Sequence, residues 1–431
     1  MMEPTIRNSE ALAKTELRRD ALAIAEAGFA AVQTSTALHR ELRVEGETLH
    51  IGERTYPIEN RRIYFVGIGK CAIDAAHEIE EVLGDRLTAG IALDVSPIEE
   101  HKLRKIVPYI GTHPLPSETN ERATESILGL LGMCEEKDLV LMLISGGGST
   151  LLCLHEDSKL CLSEAVLFSS LTKAGVTIQE MNTVRKHISP ARGGGLAKAA
   201  YPAEVIALIV SDVPGNDIVH VASGPTILDT STIADAQAVL DRHRITLPQG
   251  IILEETPKEP RYFEHVANVL FLSNEDVLRA MQEEGERRGY AVTVVDNRIT
   301  GEARDVGQRI IAKLHEAPTR SLLLYAGETT VTLSDGHGKG GRNQEMALAA
   351  LETVDDDELL LPFASDGHDN SDYAGAIADT TTCVHAEEKG IVPADYLAGH
   401  RSYDFFSTTG DALETGYTGS NVSDLIIAIK H

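Results

Sequence analysis

Short apolar segments alternate with amphipathic segments through most of this 431-residue chain. Helical periodicity occurs over 10–44, 117–136, 163–175 and 231–242. Apolar runs typical of buried strands occupy 61–70, 89–96, 105–114, 138–145 and 204–213. This alternation predicts an α/β fold in which helices cover both faces of a mostly parallel sheet.

A second series of the same kind follows a break in composition. Residues 243–262 are rich in charge and contain three prolines, which is typical of a boundary between domains. The chain is also too long for one ordinary core. We therefore predict two α/β domains, each with a mostly parallel sheet: an N-terminal domain over 1–245, a linker over 246–262 and a C-terminal domain over 263–431.

Charge and hydropathy exclude several classes of partner. The formal net charge of -27 argues against nucleic acid and anionic membranes. No apolar run approaches the roughly 20 residues that span a bilayer, and the polar N-terminal segment has no signal-peptide pattern. The five cysteines, an odd number without C-x-x-C spacing, predict neither a disulfide framework nor a zinc site. These features predict a cytoplasmic enzyme, and a homo-oligomer is compatible with them.

The segment LISGGGSTLL (143–152) carries the strongest local signal, because a predicted buried strand ends there at three consecutive glycines. Glycine has no Cβ, so the N–H groups of such a loop stay accessible and can cradle an anion. The alternative interpretation is a tight turn that requires only a positive φ.

Glycines, cations and carboxylates also follow the other predicted strands. Ligands of open parallel sheets bind at the carboxyl ends of the strands, so we expect these residues to converge. Their combination suits a phosphorylated ligand with Mg²⁺, since amides and cations bind phosphate and carboxylates bind the metal. The candidate ligand-binding residues are Ser145, Gly146, Gly147, Gly148, Ser149, Arg185, Arg192, Ser223, Gly224, Thr226, Glu328, Lys339, Gly340, Gly341 and Asn343.

Each strand-end residue also has a structural interpretation. Lys70 is equally typical of a solvated strand–helix junction, and a solvated basic turn is the alternative interpretation of Arg185, Lys186 and Arg192. Asp212 and Asp366 are equally typical of N-caps of following helices. Histidines 113 and 187 are expected to be structural, and Cys71 a small core residue. The G-x-x-x-x-G-K-[ST] motif is absent and G-x-G-x-x-G does not follow the first strand, so no nucleotide-binding motif decides between these interpretations.

Longer motifs make a family resemblance specific. In order along the chain they are GIGKCA (67–72), THPLP (112–116), LISGGGSTLL (143–152), MNTVRKHIS (181–189), RGGGLAKAA (192–200), SDVPGNDI (211–218), SGPTILD (223–229), GETTV (327–331), GKGGRNQEMAL (338–348), SDGHDNSDYAGAIAD (365–379) and TGSNVSDLIIAI (418–429). In these motifs, over nearly its whole length, the chain resembles the glycerate kinases of the MOFRL type.

The resemblance implies an enzyme that uses ATP and Mg²⁺ to phosphorylate D-glycerate at its 2-hydroxyl, giving 2-phospho-D-glycerate. It implies a Rossmann-like N-terminal domain, a smaller C-terminal MOFRL domain that carries the GKGGRNQE loop, and an active site in the cleft between them. Lys70 and Arg342 match the lysine and arginine that the family is thought to use in catalysis, here on the phosphoryl group in transfer. Asp212 and Asp366 compete for the roles of general base and Mg²⁺ ligand.

Three positions depart from the family pattern. Asn370 and Asp372 stand where members usually have glycine and threonine, and Asn216 stands where they tend to have aspartate. Asparagine tolerates a positive φ, so we expect the turn at Asn370 to persist.

Three other functions stay open. One is an NAD(P)H-dependent hydroxypyruvate reductase, against which the missing G-x-G-x-x-G counts. Another is a kinase of a different small sugar acid. The last is a non-catalytic sugar-acid sensor, which would not need both Lys70 and Arg342.

Overall fold

The computed structural model of the protein describes residues 4–95, 103–155, 160–213, 215–333 and 337–431. Its α-helices are α1 (Ser9–Leu12), α2 (Glu16–Val32), α3 (Thr34–Glu41), α4 (Ala72–Leu83), α5 (Glu118–Leu131), α6 (Gly148–Leu151), α7 (Leu160–Lys173), α8 (Ile178–Lys186), α9 (Gly195–Ala200), α10 (Ile233–Arg242), α11 (Asn274–Arg287), α12 (Ala303–His315), α13 (Arg342–Ala350), α14 (Thr380–Lys389), α15 (Pro393–Ala398) and α16 (Ser402–Thr409). Its strands are β1 (Leu42–Glu45), β2 (Thr48–Ile51), β3 (Arg54–Pro57), β4 (Ile63–Ile68), β5 (Leu87–Asp94), β6 (Ile106–Ile110), β7 (Leu139–Ile144), β8 (Glu204–Val210), β9 (Val266–Leu272), β10 (Ala291–Ile299), β11 (Ser321–Gly327), β12 (Glu358–Ala364), β13 (Gly375–Ala376), β14 (Ala412–Leu413) and β15 (Asp424–Lys430).

The chain forms two compact units whose limits differ from the predicted ones. The first unit contains residues 34–212 and 216–272, and the second contains residues 1–33, 213–215 and 273–431. The segment predicted as a linker packs within the first unit. There the Glu254 amide donates to the His187 carbonyl (2.7 Å) and the Thr256 hydroxyl donates to Asp229 (3.1 Å). Its prolines and charges therefore belong to a packed surface segment rather than to a flexible connection.

A six-stranded sheet in the order β6-β5-β4-β7-β8-β9 organises the first unit, and all its neighbouring strands are parallel. Numbered by appearance, this order is 3-2-1-4-5-6, so the direction of winding reverses between β4 and β7. Both of these strands are buried throughout, which explains why they are apolar runs without alternation. The assignment of the β9 segment to the second domain was wrong, because β9 pairs with β8.

The sheet of the second unit is mixed, in the order β10-β11-β15-β12-β13-β14. β10 and β11 are parallel, whereas β15 lies antiparallel between β11 and β12. The prediction of a mostly parallel second sheet was therefore wrong. β15 is buried almost throughout, so its sequence is a continuous apolar run without alternation. Such a run predicts a buried strand but does not indicate whether the strand is parallel or antiparallel to its neighbours.

The N-terminal region is helical up to Glu41, as the periodicity over 10–44 predicts, but β1 begins at Leu42. Three helices occupy it, and the chain then enters a small antiparallel sheet of β1, β2 and β3. Within the second unit α2 packs on α11, and Arg18 forms a buried ion pair with Asp379 (2.6 Å) and another with Asp411 (2.7 Å). In the described part of the chain, no single helix has the length and hydropathy to cross a membrane; α2 and α3 meet that criterion only when taken together.

Candidate active site

The reversal point of the first sheet brings together the two loops that follow β4 and β7. The Lys70 amide donates to the Gly146 carbonyl (3.0 Å), and the Ser145 amide donates to the Ile68 carbonyl (2.8 Å). Gly69 has a φ of +114°, and a Cβ there would lie 2.1 Å from the Ser145 hydroxyl oxygen. A side chain at position 69 would therefore separate the two loops.

Gly147 lies at the centre of this arrangement. Its φ is +86°, and a Cβ there would be 3.5 Å from Cγ of Lys70 and 3.6 Å from Cδ2 of His113. Within the described residues, the amides of Gly146, Gly147 and Ser149 have no acceptor. The loop is thus a turn that needs a positive φ, and it also leaves N–H groups beside a lysine, as an anion site requires.

A hydrogen-bonded chain of side chains joins this glycine loop to α8. The Ser149 hydroxyl lies 2.9 Å from the Ser223 hydroxyl, which donates to Oδ1 of Asn182 (3.0 Å). Ala222 and Ser223 both have left-handed backbone angles, with φ of 50° and 61°, and Gly224 follows with 59°. Consecutive strained residues are characteristic of functional segments. Asn182 was missed as a site residue, although it lies in the MNTVRKHIS motif.

The two arginines predicted at the site differ in their surroundings. The Arg192 guanidinium is completely buried and pairs with Glu164 (2.6 Å). Arg185 lies over the Phe168 ring (4.5 Å to its centre), and its Nε has no hydrogen-bond partner among the described residues. Burial, followed by the neighbouring Arg192, lowers the pKa of Arg185 to about 10. Arg185 is thus the arginine that an anion would stabilise, whereas Arg192 is occupied by a protein carboxylate.

Other predicted residues of the first unit have structural surroundings. The buried Thr226 hydroxyl donates to Asn268 of β9 (2.6 Å), so it contacts protein rather than ligand space. Asp212 is half-buried just after β8, and the next helical turn in the described chain begins at Val221, so Asp212 is not an N-cap. Burial raises the pKa of the Cys71 thiol to about 12, as suits a core residue.

In the second unit, three strand ends meet at one edge of the sheet. Asp424, the first residue of β15, is opposite Gly327 at the end of β11 and Ala364 at the end of β12. The residues that follow β11 and β12 therefore lie beside Asp424. Glu328 follows β11 and Asp366 follows β12.

Arg342, the first residue of α13, lies between two carboxylates at this edge. Its Nη2 donates to Oδ1 of Asp424 (3.1 Å), its Nε also donates to Asp424, and its Nη1 is 2.7 Å from Glu328. Burial raises the pKa of Asp424 to about 7, although Arg342 opposes the shift. Burial lowers the pKa of Arg342, but Asp424 and Glu328 outweigh it and hold that pKa above its ordinary value. Asp424 was missed as a site residue.

Asp369 fixes the start of α13 and hence the position of Arg342. Its carboxylate accepts from the amides of Asn343 (3.0 Å) and Gln344 (2.8 Å) and from both of their side chains. Burial raises the pKa of Asp369. Asn343 is fully buried in this cap, so it supports the loop instead of facing a ligand. Gly341 lies against Asp369 so closely that a Cβ would fall 2.0 Å from its carbonyl oxygen.

The GKGGR segment borders an open cavity of about 800 Å³ in the second unit. Lys339 lies over the Tyr403 ring (3.7 Å) and donates to Asp372 (3.3 Å), and Gly340 lines the cavity together with Arg342. Lys339 is about half exposed and can still reach an anion.

Asp366 and Asn370 form the turn after β12. Oδ1 of the half-buried Asp366 accepts from the His368 amide (3.0 Å), so Asp366 closes a turn and does not cap a helix. Asn370 has a φ of 50°, which confirms the prediction that asparagine would preserve the turn. Asn216, the other asparagine that departs from the family pattern, has a φ of 57°.

The cysteines depart from the prediction that no disulfide is present. Cys153 and Cys161 form a disulfide, whereas Cys71, Cys134 and Cys383 are free thiols. C-x-x-C spacing could not indicate this pair, because its cysteines are eight residues apart in the sequence.

Two family models match the chain. A domain of unknown function, DUF4147, matches residues 20–253, and the MOFRL family matches residues 321–424. The glycerate 2-kinase of Pyrococcus horikoshii is 34% identical, over 96% of this chain and 97% of that protein. This chain belongs to the MOFRL-type glycerate kinase family.

Other relatives give the same family. The D-glycerate 2-kinase of Thermotoga maritima is 35% identical over 85% of this chain and 90% of its own length. The crystal structure of a Thermotoga maritima glycerate kinase matches with a TM-score of 0.83 at 31% identity, covering 96% of this chain and 99% of that one. An Agrobacterium vitis relative with the name hydroxypyruvate reductase is 33% identical over 84% of this chain and 86% of its own length. The α/β fold class and the family that the motifs implied are thus confirmed.

Proposed function

We propose that this protein transfers the γ-phosphoryl group of ATP to the 2-hydroxyl of D-glycerate and releases 2-phospho-D-glycerate. The observation that carries the proposal is the contact of Lys70 with the glycine loop at the reversal point of a parallel sheet. Ligands of such sheets bind there. The names of the relatives supply the acceptor, a small 2-hydroxy acid.

Charge neutralisation and positioning dominate phosphoryl transfer, so the cations have the leading roles. In this proposal Lys70 and Arg342 both bind oxygens of the phosphoryl group in transfer. The amides of Gly146, Gly147 and Ser149 hold an anionic group beside Lys70, and Arg185 binds another. Asp424 and Glu328 orient the Arg342 guanidinium and leave it little freedom to lose on binding.

The carboxylates at the strand ends fit a magnesium ion. Asp212 and Asp366 are half-buried and offer the oxygen ligands that Mg²⁺ prefers. Mg²⁺ bound with ATP would supply further charge neutralisation at the phosphate oxygens. One of the two aspartates holds it in this proposal, and the other accepts the proton of the 2-hydroxyl. A cytoplasmic location also remains our prediction, as does the absence of nucleic-acid and membrane partners.

A coupled assay tests the reaction and its regiochemistry. The protein is mixed with Mg-ATP, D-glycerate and enolase, which consumes only the 2-phospho isomer, and phosphoenolpyruvate is measured. We expect product without phosphoglycerate mutase. Product that needs the mutase would contradict phosphorylation at the 2-hydroxyl. Oxidation of NADH with hydroxypyruvate, in the absence of kinase activity, would support the reductase instead.

A further inference from the structure

A cluster of two cysteines, a histidine and a glutamate follows the glycine loop in the sequence and takes no part in the proposed reaction. Cys153 and His155 follow α6, while Cys161 and Glu164 lie in the first turns of α7. All four side chains are buried or nearly so. We call these four residues the Cys–His cluster.

The donor atoms of the Cys–His cluster converge on one point. One potential ligand atom from each of Cys153, His155 and Cys161 lies within 4.8 Å of the other two. Oε2 of Glu164 is 3.2 Å from Sγ of Cys153 and 2.9 Å from Nε2 of His155. In tetrahedral zinc sites, with metal–ligand bonds of about 2.0–2.3 Å, ligand atoms lie at similar separations from one another.

We propose that the Cys–His cluster binds a zinc ion when its two cysteines are reduced. Two sulfurs, one imidazole nitrogen and one carboxylate oxygen form a donor set that suits zinc better than Mg²⁺. Oε1 of Glu164 is held by Arg192 (2.6 Å), so Oε2 is oriented toward the other donors. The proposal does not depend on the kinase function.

Charge balance supports the exchange between disulfide and zinc. In the disulfide form the charges of Glu164 and Arg192 cancel, and the neighbouring Arg185 carries the same charge in both forms. Reduction and metal binding add two thiolates and one Zn²⁺, which also cancel. Because a change of buried charge is costly, a site whose net charge is the same in both forms can accept the metal without a change of its surroundings.

A trialkylphosphine can reduce the Cys153–Cys161 disulfide before the metal is added. The phosphine attacks one sulfur of the disulfide, water then supplies the oxygen of the phosphine oxide, and two thiols result. Zinc binding releases the two thiol protons. In the protein, the metal would connect the chain after α6 to the start of α7.

The experiment measures metal bound by the full chain, and activity is not a readout. The protein is reduced with the phosphine without oxygen, incubated with Zn²⁺, desalted and analysed for metal. A parallel sample receives Co²⁺, which gives intense sulfur-to-cobalt charge-transfer absorption when thiolates bind it. We expect one zinc per reduced chain, almost none in the disulfide form, and the charge-transfer band with Co²⁺.

Variants place the metal within the chain. C161S and H155A should lose most of the bound zinc, whereas C134S should keep it, because Cys134 is a buried free thiol outside the cluster. His315, Asp355 and Glu358 form another group of neighbouring ligand atoms, so H315A is the control for binding there. Reduced wild-type protein without stoichiometric zinc, or cobalt bound without the charge-transfer band, would overturn the proposal even if a variant fails to fold.

Discussion

The candidate site of the first unit consists mainly of backbone groups, whereas that of the second unit consists mainly of charged side chains. In the first unit, Lys70 lies against bare backbone, because Gly69 and Gly147 allow two loops to meet and leave amides accessible. In the second unit, Arg342 is fixed by side chains, since Asp424 and Glu328 bind its guanidinium and Asp369 caps its helix.

The two sites should therefore be sensitive to different substitutions. A backbone site fails when a Cβ is added, but it has few ionisable groups to respond to pH. A side-chain site depends in addition on the charges of its carboxylates. Each site contains one cation that the proposed mechanism needs, Lys70 in the first unit and Arg342 in the second.

Removal of either cation should have the largest effect. Lys70→Ala and Arg342→Ala should each lower kcat by roughly 10³-fold or more, with smaller changes in KM, because the contacts strengthen in the transition state. Arg342→Lys should also fail, since an ammonium cannot bind Asp424 and Glu328 in the geometry of a guanidinium. The measurement is steady-state kinetics at saturating Mg-ATP and D-glycerate. The exposed Lys198→Ala and Arg309→Ala are matched controls that should keep wild-type rates.

The double variant asks whether the two units serve one phosphoryl group. If Lys70 and Arg342 neutralise the same charge, the combined loss should be smaller than the product of the single losses. A combined loss equal to that product would mean that the two cations act independently. Near wild-type kcat in either single variant would remove that residue from the mechanism.

The glycine loop should show the sensitivity of a backbone site. Gly147→Val places a branched side chain at a φ of +86° beside Lys70 and His113, where it would cover the accessible amides. We expect affinity for the bound anion to fall by about 10²-fold, as lost charge-assisted hydrogen bonds imply. Isothermal titration calorimetry with an ATP analogue and with glycerate checks this.

Gly175→Val separates binding from backbone strain. Gly175 also has a left-handed φ, +71°, and no described residue lies within 4 Å of the place that a Cβ would occupy. Both variants should lose about 1–2 kcal/mol of stability from the positive φ. Unchanged binding in Gly147→Val would mean that residues 146–148 form only a turn.

The neighbouring arginines should separate binding from stability. Arg185→Ala should raise KM for the anionic substrate by about 10-fold with little change in Tm, because this guanidinium loses mainly a ligand contact. Arg192→Ala should instead destabilise the fold by about 3–5 kcal/mol, since it leaves Glu164 buried without its cation. Kinetics and thermal unfolding of both variants provide the comparison. A loss of Tm in Arg185→Ala as large as that in Arg192→Ala would show that both arginines are structural.

Local sequence patterns predicted the positions of most elements and of the loops in the first unit. Each of the strands β4 and β7 is one continuous apolar run in the sequence, and the three glycines come shortly after β7. A candidate anion-binding loop could therefore be predicted from the sequence of this segment alone. Lys70 and Gly147 are 77 positions apart, but the parallel order of the sheet made their convergence predictable.

Partners that depend on tertiary pairing could not be predicted. Asp424 reaches Arg342 because β15 inserts antiparallel between β11 and β12, and the sequence of β15 carries no sign of its direction. The pairing of β9 with β8 could not be predicted either, because residues 246–262, which precede β9, have the composition of a linker. The sequence could not distinguish the structural role of Arg192 from the role predicted for Arg185, because the partner of Arg192, Glu164, lies 28 residues away in the sequence.

The pH dependence of stability should reveal the side-chain site of the second unit. The folded-state pKa of Asp424, about 7, lies above the ordinary value of 3.8, so between these values the folded protein holds more protons than the unfolded chain. Stability from the neutral carboxyl is therefore present at low pH and is lost as the pH rises through this window. The slope is at most about 1.4 kcal/mol per pH unit.

Asp424→Asn should remove this loss, because the amide stays neutral at every pH. We expect the Tm of the variant to rise relative to that of the wild type as the pH increases from about 4 to about 7. Above about pH 7 the difference in Tm should stay constant. Asp356→Asn, an exposed aspartate of the same unit, is the control and should follow the wild type. If Asp424→Asn and wild type instead show parallel Tm profiles, Asp424 is ionised throughout and Arg342 is held by a permanent charge.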